Sequence, residues 1–208
     1  MTGVGLVPRP FFLDYFLYHR HIFSENLVLS KCLRCEGCLF RSIMIDRKVK
    51  RRRGGKMQRV TNCVLVKDGK VLLLQKPRRN WWVAPGGKME QGESVKDSVV
   101  REFREETGIY LKNPTVKGIF TFTMKENDKI ASEWMMFTFF ATDFDGTNVL
   151  ESEEGKLGWH NLNDVSELPM APGDHHIIDY VAKGSGVIYG NFTYTTDFEL
   201  LSYRIDPC

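Results

Sequence analysis

Between Gly86 and Ile109 the chain holds a glycine pair, an acid-bearing loop and a carboxylate-rich segment in one fixed register. It reads Gly86-Gly87-Lys88-Met89-Glu90-Gln91-Gly92-Glu93, then seven residues, then Arg101-Glu102-Phe103-Arg104-Glu105-Glu106-Thr107-Gly108-Ile109. The spacing predicts a helix over 94–107. Ser94 and Asp97 have the S-x-x-D spacing of a capping box, and Gly108 supplies a left-handed stop. Val95, Val99 and Phe103 recur every four residues as a core-facing stripe. Glu102 lies three and four residues before Glu105 and Glu106, so all three carboxylates share one face, away from that stripe. Like charges at this spacing destabilise a bare helix. Hard divalent cations, Mg2+ or Mn2+, neutralise such a set with carboxylate and water ligands. The glycines upstream let backbone carbonyls approach the same ions. A solvated acidic face held by pairs such as Arg101 with Glu105 is the plainer reading. The joint register of the glycine pair, Glu93 and Arg101-Glu102 argues against it.

The flanking segments read as hairpins with a few helices. Aliphatic runs at 60–66 and 71–74 bracket Lys67-Asp68-Gly69-Lys70, a hairpin turn signal. Residues 77–87 form a loop with Pro and two Gly. Strands are expected at 118–124, 133–141 and 156–160, helices at 164–168 and 174–183, and a closing hairpin from 187–194 and 199–205. This alternation predicts an α+β chain, a mixed sheet covered by helices.

The 87–109 segment resembles the Nudix box, G-x5-E-x7-R-E-U-x-E-E-x-G-U with U a bulky apolar residue. Gly87, Glu93, Arg101, Glu102, Phe103, Glu105, Glu106, Gly108 and Ile109 fill every fixed position. The resemblance implies a Nudix-type α/β/α sandwich with a mixed β-sheet. It also implies a metal-dependent hydrolase that cleaves a nucleoside diphosphate linked to another moiety. By the same resemblance Glu102, Glu105, Glu106 and the Gly86 carbonyl hold metal, Mg2+ with Mn2+ as the substitute. Glu93 and Arg101 pair to fix the loop against the helix. The chemistry is coherent on general grounds, because carboxylate-held metals neutralise an anionic diphosphate and lower the pKa of a bound water.

Downstream, Glu151-Ser152-Glu153-Glu154, Trp159 and Met170-Ala171-Pro172-Gly173-Asp174 resemble the base-recognition region of the oxidised-purine nucleoside triphosphatases, a MutT-like branch of that family. On this resemblance Glu153 and Glu154 face a purine edge. An adjacent acidic pair can share a proton and so both donate and accept. Two further readings stand beside it: one of the pair as a metal ligand or general base outside the box, or both in a solvated acidic loop. Val83 departs from the branch, which places a polar amide after the tryptophan. Asp174, Lys76, Arg78 and Trp82 complete the candidate substrate contacts, with Trp81 or Trp82 able to stack on a base. Lys76, Arg78 and Arg79 would suit the extra diphosphate of a guanosine alarmone. The expected substrate is a purine nucleotide, 8-oxo-dGTP or a related guanine nucleotide. The alternatives are (p)ppGpp hydrolysis, or a Nudix-fold nucleotide sensor without turnover.

Charge and cysteine divide the 208 residues unevenly. Residues 1–56 carry twelve Lys+Arg against four acids, whereas residues 57–208 carry seventeen against twenty-two. We read 1–56 as a basic N-terminal extension and 57–208 as the hydrolase domain. The purine-rich coding capacity of Arg-Arg-Gly-Gly-Lys before Met57 makes Met57 a candidate natural start. Cys32, Cys35 and Cys38 have metal-like spacing but no fourth ligand nearby, so zinc is not expected. The basic run 47–56 has no aromatic interleaving, so nucleic acid is not the expected partner. No apolar run is long enough to span a membrane, and an odd cysteine count of five points to a reducing cytoplasm. Oligomeric state is not legible from these features.

Overall fold

The computed structural model describes residues 57–206. The basic extension, its boundary with the domain, the cysteine run at 32–38 and the basic run at 47–56 lie outside the described residues.

Chain order starts with a hairpin, β1 (Gln58–Lys67) and β2 (Lys70–Lys76), joined through left-handed Asp68 and Gly69. A two-residue turn with both positions at positive φ matches the right-handed twist of its strands. Two short strands follow where a loop is expected, β3 (Trp81–Val83) on β2 and β4 (Gly86–Lys88) on β1. Helix α1 (Val95–Thr107) comes next, then β5 (Tyr110–Lys112), β6 (Thr115–Glu126), β7 (Lys129–Ala141), β8 (Asp143–Asp145), β9 (Glu151–Ser152) and β10 (Gly155–Asn161). A 3-10 helix (Leu162–Glu167), helix α2 (Pro172–Lys183) and the hairpin β11 (Ile188–Thr195) and β12 (Leu200–Asp206) complete the fold.

The main sheet runs β12-β11-β6-β7-β1-β2-β10-β9, with β3 and β4 attached to β2 and β1. Pairing is parallel between β1 and β7 and between β11 and β6, and antiparallel elsewhere. The sheet is therefore mixed, as the sequence predicts. Each face is covered by one helix, because the central strands are apolar on both sides. In β2, Leu72 and Leu74 join Val99 and Phe103 of α1 in one core cluster. Val71 and Leu73 turn the other way and join Ile177, Ile178 and Val181 of α2 in a second. Continuous apolar runs of this kind mark strands buried on both faces. The result is the expected three-layer α/β/α arrangement.

Candidate active site

Helix α1 is fixed at both ends by local chemistry. The Ser94 hydroxyl accepts the Asp97 backbone N–H at 3.1 Å and donates to the Asp97 carboxylate at 2.7 Å. Gly108, at φ 78°, donates its N–H to the Arg104 carbonyl at 2.8 Å. With Val99 and Phe103 fully buried, the rotation of the helix is set and its acidic side is presented to β4.

The three carboxylates do not share one environment. Glu106 is buried, only 6 % exposed, and its Oε2 accepts the Gly86 N–H at 2.7 Å. Glu102 lies over Gly87 so closely that a Cβ there would stand 2.2 Å from Glu102 Oε2. Glu105 sits at the rim, its side chain 60 % exposed, held by Arg101 at 3.1 Å. Two acids thus converge on the glycine strand, and the third flanks them. Gly86 itself leaves no room for a side chain, since a Cβ would lie 2.1 Å from the Thr61 carbonyl oxygen on β1.

Arg101 gathers the surrounding acids. Its Nε and Nη2 donate to the two oxygens of Glu93 at 2.6 and 2.9 Å. Its Nη1 donates to Glu102 at 2.9 Å and to Glu105, and Nη2 reaches the Lys88 carbonyl at 3.2 Å. Glu93 also accepts the Glu90 N–H at 2.8 Å. The Arg101 hydrogen bonds, followed by that backbone bond, draw the Glu93 carboxyl down to about 2. A bidentate guanidinium–carboxylate pair of this kind pins the 86–93 loop to the helix.

Lys76, at the end of β2, stands between two acids, with Nζ 2.9 Å from Glu106 Oε1 and 2.9 Å from Glu154 Oε2. Burial works to lower the Lys76 ammonium, but Glu106 and Glu154 outweigh it and hold it above the ordinary lysine value. Burial raises the Glu106 carboxyl, with Lys76 opposing. Glu154 is therefore drawn toward the helix acids, while Glu153 stays exposed in the same turn.

Beside this cluster, on the α2 side of the sheet, opens a cavity of about 230 Å3. Its walls include Trp81, Phe122, Trp134, Met136 and Phe198, and its polar side chains include Asn62, Asp174 and Tyr194, whose hydroxyl accepts the Gly173 N–H. Gly86 lines it as well, which joins it to the carboxylates. Burial pushes the Asp174 carboxyl up to about 7. A larger open groove of about 580 Å3 follows the outer side of α1 past Lys96, Arg104 and Glu105. Its side chains are mostly charged, with Val100 and Tyr110 the apolar ones, whereas the smaller cavity is walled mainly by aromatic and aliphatic groups and is the better ligand site.

Several sequence expectations are redistributed. Trp82 packs against His160, ring centroids 4.2 Å apart, and does not line the cavity, whereas Trp81 does. Glu153 and Glu154 are not among the residues that line it. Arg78 is exposed in the 77–80 turn. Arg79 stacks over Trp81 and Phe198 at 5.1 and 4.6 Å. Val83 lines the cavity as an aliphatic wall, and Asn62 on β1 places an amide in the same cavity. Sequence reasoning missed Asn62, although a single amide between Val60 and Val64 on one strand face was the available signal.

A family model for the NUDIX domain matches residues 56–181. The chain belongs to the Nudix family. This Nudix chain is 70% identical over 151 residues to "Uncharacterized Nudix hydrolase YvcI" of Bacillus subtilis (strain 168), covering 73% of this chain and 96% of that protein. The crystal structure of a MutT protein from Bacillus halodurans superposes with a TM-score of 0.71 at 57% identity, covering 73% of this chain and 99% of that one. The "CTP pyrophosphohydrolase" of Escherichia coli (strain K12) is 31% identical over 129 residues, 60% of this chain and 90% of its own. The protein is a MutT-like Nudix hydrolase, an enzyme that hydrolyses pyrophosphate bonds in nucleotide diphosphate-containing substrates. Nudix hydrolases generally use a divalent metal. Among the described residues no three His, Cys, Asp or Glu side chains already converge as a metal-holding group. The donors nonetheless suit one. Their ligand atoms are all hard oxygens, and the Lys76 ammonium already occupies a cation position between Glu106 and Glu154. No helix of the described residues is long and apolar enough to cross a membrane.

Proposed function

We propose that this Nudix hydrolase uses Mg2+, with Mn2+ as a substitute, to cleave purine nucleoside polyphosphates, 8-oxo-dGTP or a related guanine nucleotide. The observation that carries the reading is the aromatic-walled cavity holding Asn62 and Asp174 and sharing Gly86 with the carboxylate cluster. Ligand pockets for whole drug-sized molecules run to roughly 300–1,000 Å3. At about 230 Å3 this one suits a base alone. The sugar and phosphates then extend over Gly86 toward Glu102 and Glu106. Trp81 offers a stacking face, and Asn62 and Asp174 offer donor and acceptor groups to the base edge.

The ion would be held by Glu102, Glu106 and the Gly86 carbonyl, with Glu105 approaching from the rim. When bound, it neutralises the diphosphate and lowers the pKa of a water. The chain's own residues do the rest. Arg101 and Glu93 hold the glycine loop at one distance from α1. Lys76 Nζ, held between Glu106 and Glu154, would donate to a phosphate oxygen. Glu154 Oε2, outside the box yet one ammonium away from Glu106, takes the proton of the attacking water. We assign no role to Glu153 or Arg78. With Lys76 assigned to the scissile chain and Arg79 stacked on Trp81 and Phe198, only the exposed Arg78 remains for a 3′-diphosphate, so the alarmone reading is not the one favoured.

Product release from 8-oxo-dGTP, dGTP, GTP, ATP and CTP, each with Mg2+ and with chelator, tests the reading. A purine preference that chelator abolishes is expected. Turnover of none of them would favour the sensor, and a pyrimidine preference would refute the purine assignment.

A further inference from the structure

Behind the floor of the base cavity the sheet face changes character. Asn62 on β1 and Thr138 on β7 are directly paired in parallel register, so their side chains rise side by side on the α2 side. Their neighbours on that face are apolar, with Val60 and Val64 along β1 and Met136 and Phe140 along β7. Asp174, in the first turn of α2, closes over them. These three polar side chains line a small cavity of about 10 Å3 whose other walls are Val64, Ala84, Met136, Ile177 and Ile178.

Thr138 is fully buried, and its Oγ1 finds no hydrogen-bond partner among the described residues. Asn62 Oδ1 is likewise buried without a partner. Its amide nitrogen donates only to the Met136 sulfur at 3.4 Å, a weak acceptor. A buried polar group left without a partner forfeits its hydration with nothing in return. Two such groups facing one small space, beside a carboxyl, point to a ligand they share. A void of this size matches roughly one water sphere, and buried waters make about three hydrogen bonds.

We propose that Asn62, Thr138 and Asp174 hold one ordered water behind the cavity floor, through which Thr138 acts as a positioning residue for base selection. The Thr138 hydroxyl donates to or accepts from the water. The water fixes the Asn62 carbonyl and the Asp174 carboxyl, and the base edge meets two groups of set orientation. Thr138 itself lines the inner void and not the base cavity, so its effect on substrate passes through its partners. This rests on the reading of the larger cavity as the base site.

Two measurements on the full chain decide it. A crystal structure at high resolution should show one water within hydrogen-bond distance of Asn62 Oδ1, Thr138 Oγ1 and Asp174. Its absence overturns the proposal. In kinetics, Thr138→Val keeps the shape and removes the hydroxyl. The ratio of kcat/KM between the preferred and the base-swapped nucleotide should fall about tenfold, through KM, with kcat changed less than about threefold. Thr138→Ser should restore it. Unchanged discrimination, or an equal loss on every nucleotide, overturns the role. If Thr138→Val fails to fold, Thr138→Ala replaces it in the kinetic comparison, and the water density decides independently. If wild-type enzyme shows no base preference, the base-site reading falls first, and the water density alone then upholds or removes the site.

Discussion

Lys76 Nζ and Glu106 Oε1 stand 2.9 Å apart, joining the end of β2 to the last turn of α1 across the glycine strand. The pair puts a cation of the protein's own where the helix acids converge. Because Glu106 is buried and also accepts the Gly86 N–H, its orientation is set before any ligand arrives.

Glu106→Gln should therefore separate fold from chemistry. The amide can still accept the Gly86 N–H, but it carries no charge to offer a divalent cation. Turnover should fall at least ~1,000-fold, which is about 4 kcal/mol in the barrier. Circular dichroism and thermal unfolding should stay close to wild type. Steady-state kinetics with excess Mg2+ checks this, and near-normal activity would remove Glu106 from the ligand set.

Gly87→Ala should act on one carboxylate only. The added Cβ meets Glu102 Oε2, the end of a flexible side chain, so the backbone can stay and Glu102 must swing away. Activity should drop by about 10- to 100-fold while the melting temperature moves by no more than a few degrees. Gly86→Ala meets backbone, the Thr61 carbonyl and the Asn62 Cα, and should destabilise the domain outright. Thermal melts of the two variants side by side test the contrast.

Arg101→Lys keeps a positive charge but loses the fork that spans both oxygens of Glu93. Lys cannot bond Glu93, Glu102, Glu105 and the Lys88 carbonyl at once. We expect a loss of about 1–2 kcal/mol in urea unfolding together with reduced kcat. Stability equal to wild type would mean that the loop is held by other contacts.

Asp174 should leave a signature in the pH dependence of stability. Its folded carboxyl is raised by burial from 3.8 to about 7. Between those values the native state keeps a proton that the unfolded chain has released. The contribution is favourable below about pH 4 and is lost as pH rises toward 7, with a slope of at most ~1.4 kcal/mol per pH unit. Glu93 works in the opposite sense. Its stabilisation is present above 4.5 and is lost as pH falls toward about 2. Asp174→Asn should flatten the first slope and leave the second, as urea midpoints from pH 3 to 8 would reveal. An unchanged slope between pH 4 and 7 would mean that Asp174 titrates normally.

Local patterning made much of the framework legible. The Asp68-Gly69 turn, the Ser94 cap, the Gly108 stop and the Val95–Val99–Phe103 stripe all depend on neighbours within a few residues, and each is found where the pattern puts it. The short strands β3 and β4 were not visible, because three residues carry no period and exist only by pairing with β2 and β1.

The same division runs through the site. Sequence alone determined which side chains could carry the chemistry, since helical spacing puts Glu102, Glu105 and Glu106 on neighbouring positions whatever surrounds them. Only the tertiary structure decided how they differ, with Glu106 buried against Gly86, Glu102 over Gly87 and Glu105 left at the rim. It also drew Glu154 to Lys76, turned Trp82 toward His160, and brought Asn62, Thr138 and Asp174 together from three separate elements. Such meetings depend on strand register and on the seating of α2 over the sheet. They are set by the packing of distant apolar residues, which short-range spacing does not encode.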